Sequence, residues 1–160
     1  MDTPVELEPK EIEQPRLFCV AFDDSPEARC AVEHAASLAR AGHEDCLLIV
    51  TVVRSASERE EAEKILGGAK ALSFLYNKLI VTNTLVVVAD DYARAFCETA
   101  RNCQADYIVV GCRGSNFTRK FLGSTSKKIT KLAHCPVLLC RPNAIKKGHH
   151  SQSSASSASN

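Results

Sequence analysis

The stretch "RLFCVAFDDSPEARCAVEHAASLARAG", residues 16–42, changes its periodicity partway along. Its opening, "RLFCVAF", is a short and nearly continuous apolar run, the pattern of a strand buried on both faces. The remainder predicts a helix. Asp24 or Ser25 caps it, Pro26 suits the first turn, Glu27 favours the positive end, and Gly42 stops it. Cys30, Ala31, His34, Ala35 and Leu38 recur at helical spacing and mark its expected buried face.

The same alternation continues along the chain. "CLLIVTVV" (46–53) reads as a second buried strand, and "SASEREEAEKILGGAKALSFLYNK" (55–78) as a second helix. Ser57 and acidic residues open that helix, and Gly67–Gly68 are expected to weaken or kink it. "LIVTNTLVVV" (79–88) mixes polar and apolar residues as an edge strand does. "DDYARAFCETARNC" (90–103) is a third helix capped by Asp90 or Asp91, and "DYIVVG" (106–111) a fourth strand. "TSKKITKLAH" (125–134) is a fourth helix and "PVLLCR" (136–141) a last strand. Strictly alternating strands and helices imply an α/β fold: a single five-stranded parallel sheet, doubly wound, with helices on both faces. The expected strand order is 3-2-1-4-5.

Composition narrows the function classes. The chain has 160 residues, enough for one domain with a sizeable core, and is 45% hydrophobic and 24% charged. A net charge of +1, scattered basic residues and few aromatics argue against nucleic-acid partners. No apolar run is long enough to span a bilayer, so no membrane partner is expected. The N-terminus "MDTPVELEPKEIEQP" lacks an apolar signal core, which makes a cytoplasmic protein the expectation. Residues 1–15 read as a flexible leader, 16–143 as the domain, and 144–160 as a disordered Ser-rich tail. His149 and His150 in that tail read as solvated, and His34 and His134 as packing or capping groups.

The eight cysteines (Cys19, Cys30, Cys46, Cys97, Cys103, Cys112, Cys135 and Cys140) form no C-x-x-C pair. Their spacing suits neither a disulfide scaffold nor a zinc site, so most read as small core hydrophobes. Cys112 is the expected exception, because it lies in a glycine-containing loop.

That loop, "VVGCRGSNFTRKFLGSTS" (109–126), carries the candidate chemistry. In open α/β sheets ligands bind beyond the carboxyl ends of the strands, where strand order reverses. Asp23 and Asp24 end the first strand and the glycine loop follows the fourth, so neighbouring strands one and four place both at one crevice. Neither G-x-x-x-x-G-K-[ST] nor G-x-G-x-x-G is present. What remains is Gly111 and Gly114 after a strand, then Gly123-Ser124-Thr125-Ser126 opening a helix. Glycines permit close backbone approach, a helix N-terminus offers unpaired N–H groups to anions, and the hydroxyls add donors. On spacing alone these residues either cradle phosphate or merely shape a loop and cap a helix.

"VVGCRGSNFTRKFLGSTS", together with "VAFDDSPEARCAVEHA" and "CPVLLCR", resembles the universal stress protein family over roughly residues 16–142. Its nucleotide-binding members carry Gly, two residues, Gly, nine residues, then Gly with Ser or Thr. Here only eight residues, 115–122, separate Gly114 from Gly123. The resemblance implies ATP, accompanied by Mg2+, as the ligand. It implies that Ala21 and Asp23 lie near the adenosine and that the Val52 backbone meets the adenine edge. Val110, Gly111 and Gly114 would line the ribose and phosphate path, with Arg113 supporting the phosphate charge. Gly123, Ser124, Thr125 and Ser126 would bind the phosphates. Asp24 stands where many members have Gly and is expected to cap the helix. A homodimer through the last strand, Pro136 to Arg141, follows from the same likeness, and an apolar edge strand needs cover in any case.

The resemblance implies an ATP-binding, homodimeric sensor or switch, and because no nucleophile–base pair or metal cage is legible, at most slow ATP hydrolysis is expected. Two rivals stand beside it. One is a nucleotide-free interaction or thiol-responsive dimer of the same fold. The other is a nucleotide-cleaving or adenylating enzyme, for which "DDSPE" lacks the phosphate-loop glycines.

Overall fold

In a computed structural model, residues 14–112 and 123–142 are described. The tail, all of the leader but its last two positions, and Arg113 and Gly114 lie outside them. The elements run β1 (Leu17–Ala21), α1 (Pro26–Leu38), β2 (Cys46–Val53), α2 (Arg59–Tyr76), β3 (Val81–Val88), α3 (Tyr92–Asn102), β4 (Tyr107–Gly111), α4 (Ser124–Leu132) and β5 (Val137–Cys140). The five strands form one parallel sheet in the order β3-β2-β1-β4-β5. Strand order therefore reverses between β1 and β4, which pair directly, Val20 beside Val109.

Each face of the sheet carries its own core. Phe18, Val20, Phe22, Leu47, Ile49 and Val109 pack with α1 and α2. Cys19, Ala21, Val50, Ile108 and Val110 pack with α3 and α4 around Phe96 and Ile129. Alternate residues of β1 thus enter opposite cores, which is why the strand reads as continuously apolar.

Ser25, not Asp24, caps α1: the Ala28 N–H donates to Ser25 Oγ at 3.2 Å, with Pro26 and Glu27 in the first turn. Asp24 instead adopts a left-handed backbone, φ 63°, and its carboxylate accepts from Arg29 Nη2 at 2.8 Å. Asp is one of the few L residues, with Asn, that adopts this conformation at little cost, and glycine would adopt it at none. α1 stops at Leu38, and Gly42 falls in a following 3₁₀ turn, Ala41–His43. The buried stripe of α1 is Ala28, Cys30, Ala31, Val32, Ala35 and Ala36, while His34 and Leu38, expected on it, are exposed. Small residues let this helix sit close to the sheet. α2 begins at Arg59 after a 3₁₀ turn, Ala56–Glu58, that contains Ser57, and it runs unbroken through Gly67–Gly68.

At the opposite end of the sheet from the reversal crevice, Asp45 is fully buried between two arginines. It accepts from Arg16 (backbone N at 2.9 Å, Nη2 at 2.7 Å) and from Arg40 (backbone N at 2.8 Å, Nε at 3.0 Å). Burial alone pushes this carboxyl up, but the hydrogen bonds from Arg40 and Arg16 outweigh it and hold it well below the usual carboxylate range. Arg16 also lies over Phe18, 5.3 Å from the ring centroid, and Phe18 stacks on Tyr107. The clamp joins the start of β1 to the end of α1 and fixes the first β-α unit that carries the crevice.

Candidate nucleotide-binding cavity

A cavity of about 530 Å³ opens at the carboxyl end of the sheet, over the β1–β4 reversal. That volume lies in the range of small-molecule sites. Ala21, Asp23, Val52, Val110, Gly111, Gly123, Ser124, Thr125 and Ser126 all line it. These are the nine sequence-selected residues that fall among the described positions, contributed by four different elements and their flanks. Arg113 and Gly114 are outside those positions. Ser25, Glu27, Ala28 and Tyr92 complete the lining among the described residues and were not selected from the sequence as ligand contacts.

The lining is of two chemical kinds. Ala21, Val52 and Tyr92 offer apolar surface, with the Asp23 carboxylate beside them. Asp23 Oδ1 accepts from the Ser25 N–H at 3.1 Å and from Ser25 Oγ at 2.6 Å, which fixes the carboxylate against the start of α1. Burial foremost, and the Asp23 charge second, push the Tyr92 phenol far above its ordinary range, so it stays neutral.

The second kind comes from the start of α4. Gly123 is its N-cap and no side chain caps it. The first intrahelical bond is donated by the Lys127 N–H to the Gly123 carbonyl, 3.0 Å, leaving the N–H groups of the first turn without intrahelical acceptors. Gly123 has an ordinary extended backbone, and an added Cβ would meet nothing within 4 Å among the described residues. Its conformation does not require glycine, and among the described residues neither does packing; the position lines the cavity. Ser124 and Thr125 present hydroxyls there.

Two expected phosphate residues have structural duties instead, or as well. A Cβ on Gly111 would collide with the backbone C and O of Glu27 and come within 2.7 Å of Ala28 N, so this glycine lets α1 pack on the end of β4. Ser126 is buried, and its Oγ donates to the Gly111 carbonyl at 3.1 Å, tying α4 to β4. That hydroxyl has spent its proton; only the Ser126 backbone N–H remains to donate.

Cys112 was expected to be exposed and is buried, 1% accessible. The ladder continues one residue past β4, with Cys112 N–H donating to the Cys140 carbonyl at 2.8 Å, and Arg141 Nε lies 3.4 Å from its sulfur. Cys19, Cys30, Cys97 and Cys140 are also buried. Burial pushes the Cys140 thiol up to about 11 and raises those of Cys19, Cys30 and Cys97, as inert core thiols require. Cys103 alone is exposed. No group of three or more His, Cys, Asp or Glu forms a metal site among the described residues, and no described helix is long and apolar enough to cross a membrane.

A doubly wound domain with a polar-and-apolar cavity at its strand-order reversal defines the class. The universal stress protein family model matches residues 16–141, and the chain belongs to that family. It is 26% identical over 130 residues to universal stress protein Sll1654 of Synechocystis, an alignment covering 74% of this chain and 80% of that one. Among solved structures, it resembles a universal stress protein in complex with cAMP, with a TM-score of 0.67, 23% identity, and 81% and 98% of the two chains covered. It also resembles the universal stress protein of Archaeoglobus fulgidus in complex with dAMP, with a TM-score of 0.61, 18% identity, and 81% and 99% covered. These two likenesses are likenesses of fold.

Proposed function

We propose that this protein binds an adenine nucleotide, foremost ATP, in the cavity over the β1–β4 reversal, and acts as a homodimeric sensor or switch. One observation carries the reading: an uncapped helix N-terminus with Ser124 and Thr125 shares a single cavity with the apolar group Ala21, Val52 and Tyr92. A nucleotide has matching halves. Its phosphates suit the first-turn N–H groups and the positive end of the α4 dipole, and its base suits the apolar lining residues. The cAMP and dAMP complexes of two relatives by fold support the adenine assignment.

The charges of the site bear on the form of the ligand. Asp23 and Glu27 line the cavity, and none of the described lining residues is basic. A triphosphate would bring Mg2+ on its own phosphate oxygens, and Arg113, to which the family resemblance assigns that task, would add positive charge. The expectation is that ATP binds more tightly with Mg2+ than without it. The reading gives no residue a catalytic role, and slow hydrolysis is the most it allows.

Dimerisation is proposed through β5. This strand lies at the sheet edge, with Leu139 39% exposed and Val137 and Leu138 half-buried, and pairing with its twin would cover it. The test of the ligand is direct: purify the protein without added nucleotide, denature it, and identify released adenine compounds by chromatography and mass. Stoichiometric ATP or ADP supports the reading. A protein that is empty, and that also ignores added ATP–Mg2+, AMP and cAMP, overturns it in favour of a nucleotide-free dimer.

A further inference from the structure

Tyr92 is the sole aromatic residue lining the cavity among the described residues. It is the first residue of α3, directly after the N-cap Asp91, and its half-buried ring packs against the core that holds Ala21, Val50 and Val110. It also lines a shallower crevice next door, with Asp90, Asp91, Ser124, Thr125 and Lys128. Its place is anchored. Asp91 caps α3 by accepting from the Arg94 N–H at 3.2 Å, and its other oxygen accepts from Lys128 Nζ at 2.7 Å, linking the start of α3 to α4. A ring on a tethered helix start is already in place before a ligand arrives, which spares the ordering cost of binding.

We infer that Tyr92 is the nucleoside-recognition residue of this site, its exposed part packing against the flat base of the bound nucleotide beside Ala21 and Val52. The inference rests on the nucleotide reading above and goes further by naming the part of the ligand this residue reads. Stacking is indifferent to base identity because every base has a π-face, and indifferent to phosphate number because AMP and ATP share the base. Tyr92 therefore sets whether a nucleoside binds, and the α4 terminus sets how many phosphates accompany it.

The chain contains no tryptophan and three tyrosines. Tyr76 lies on α2 and Tyr107 stacks on Phe18, both away from the cavity lining. Tyrosine emission thus has one reporter in the site. The full chain and its Tyr92→Phe and Tyr92→Leu variants would be titrated calorimetrically with AMP, ATP–Mg2+ and inorganic triphosphate, and by tyrosine fluorescence with AMP. AMP is expected to change the emission of the wild type and not of Tyr92→Phe, which keeps a stacking ring and affinity within about threefold. Tyr92→Leu is expected to weaken AMP and ATP alike by roughly tenfold and to leave inorganic triphosphate unaffected. Wild-type affinity for AMP in Tyr92→Leu would overturn this inference and leave the nucleotide site standing. A wild-type protein that binds none of the three probes would remove the site itself, and this role with it.

Discussion

A methyl group at position 111 has nowhere to go, because the backbone of Glu27 and Ala28 occupies its place. Neither partner is a flexible side-chain tip, so Gly111→Ala must push α1 off β4. A loss of about 1–3 kcal/mol in denaturant unfolding is expected, the cost of an overpacked core. Ser126 belongs to the same joint. Ser126→Ala should cost about 1 kcal/mol of stability, with nucleotide affinity little changed, because its hydroxyl donates to the Gly111 carbonyl. Ser124→Ala with Thr125→Ala should do the reverse, weakening ATP while leaving the melting temperature near wild type. The sequence could place these residues at the crevice but could not divide them this way. A glycine needed for helix–strand packing and one that leaves room for a ligand look alike in one dimension. Tyr92 was passed over for a related reason: after "DD" it reads as an ordinary helix start, and its signal is an aromatic in the first helical turn beyond the carboxyl edge of a strand.

At the scale of elements, the change in periodicity at residues 16–42 located β1 and α1, and every other strand and helix followed from the same alternation. Edges and faces were less legible. The i, i+4 spacing that links Ala31 and Ala35 extends to His34 and Leu38, yet close packing of small residues narrows the buried stripe and leaves those two exposed. Cys112 was misread because ladder pairing outlasts the apolar run, ending on a hydrogen bond to Cys140 that no spacing announces. The Asp45 clamp was unannounced too, since Arg16, Arg40 and Asp45 are brought together only by the β1-α1-β2 turn. Replacing Asp45 by alanine leaves two arginines facing a buried void, and a loss of about 3–5 kcal/mol is expected. The clamp also sets an acid limb. Asp45 has a folded-state pKa below its unfolded value of about 3.9, so its contribution is complete above that value and fades as pH falls further. Wild-type stability measured between pH 6 and pH 2 should fall more steeply below about pH 4 than that of Asp45→Ala. Parallel curves would show that the clamp does not control the acid limb.

For the whole molecule, the strand order 3-2-1-4-5 goes with α1 and α2 on one face of the sheet and α3 and α4 on the other, leaving β3 and β5 as its edges. The site and the proposed dimer are both consequences of that order: one sits where the order reverses, the other where it ends. Leu139→Lys on β5 should convert the proposed dimer to monomer in sedimentation or light scattering without unfolding it, since Leu139 already contacts solvent. A variant that keeps the wild-type mass would place any dimer contact elsewhere.

The central claim is that the first turn of α4 holds phosphate, and Gly123 tests it most directly, because a Cβ there meets no atom of the described residues within 4 Å. The measurement is calorimetric titration of ATP–Mg2+ into nucleotide-stripped wild type and Gly123→Val, with Gly114→Val as the matching change on the other side of the glycine loop. The account expects wild-type binding and its loss in both variants, with the folded state retained. Undiminished ATP affinity in Gly123→Val would contradict it.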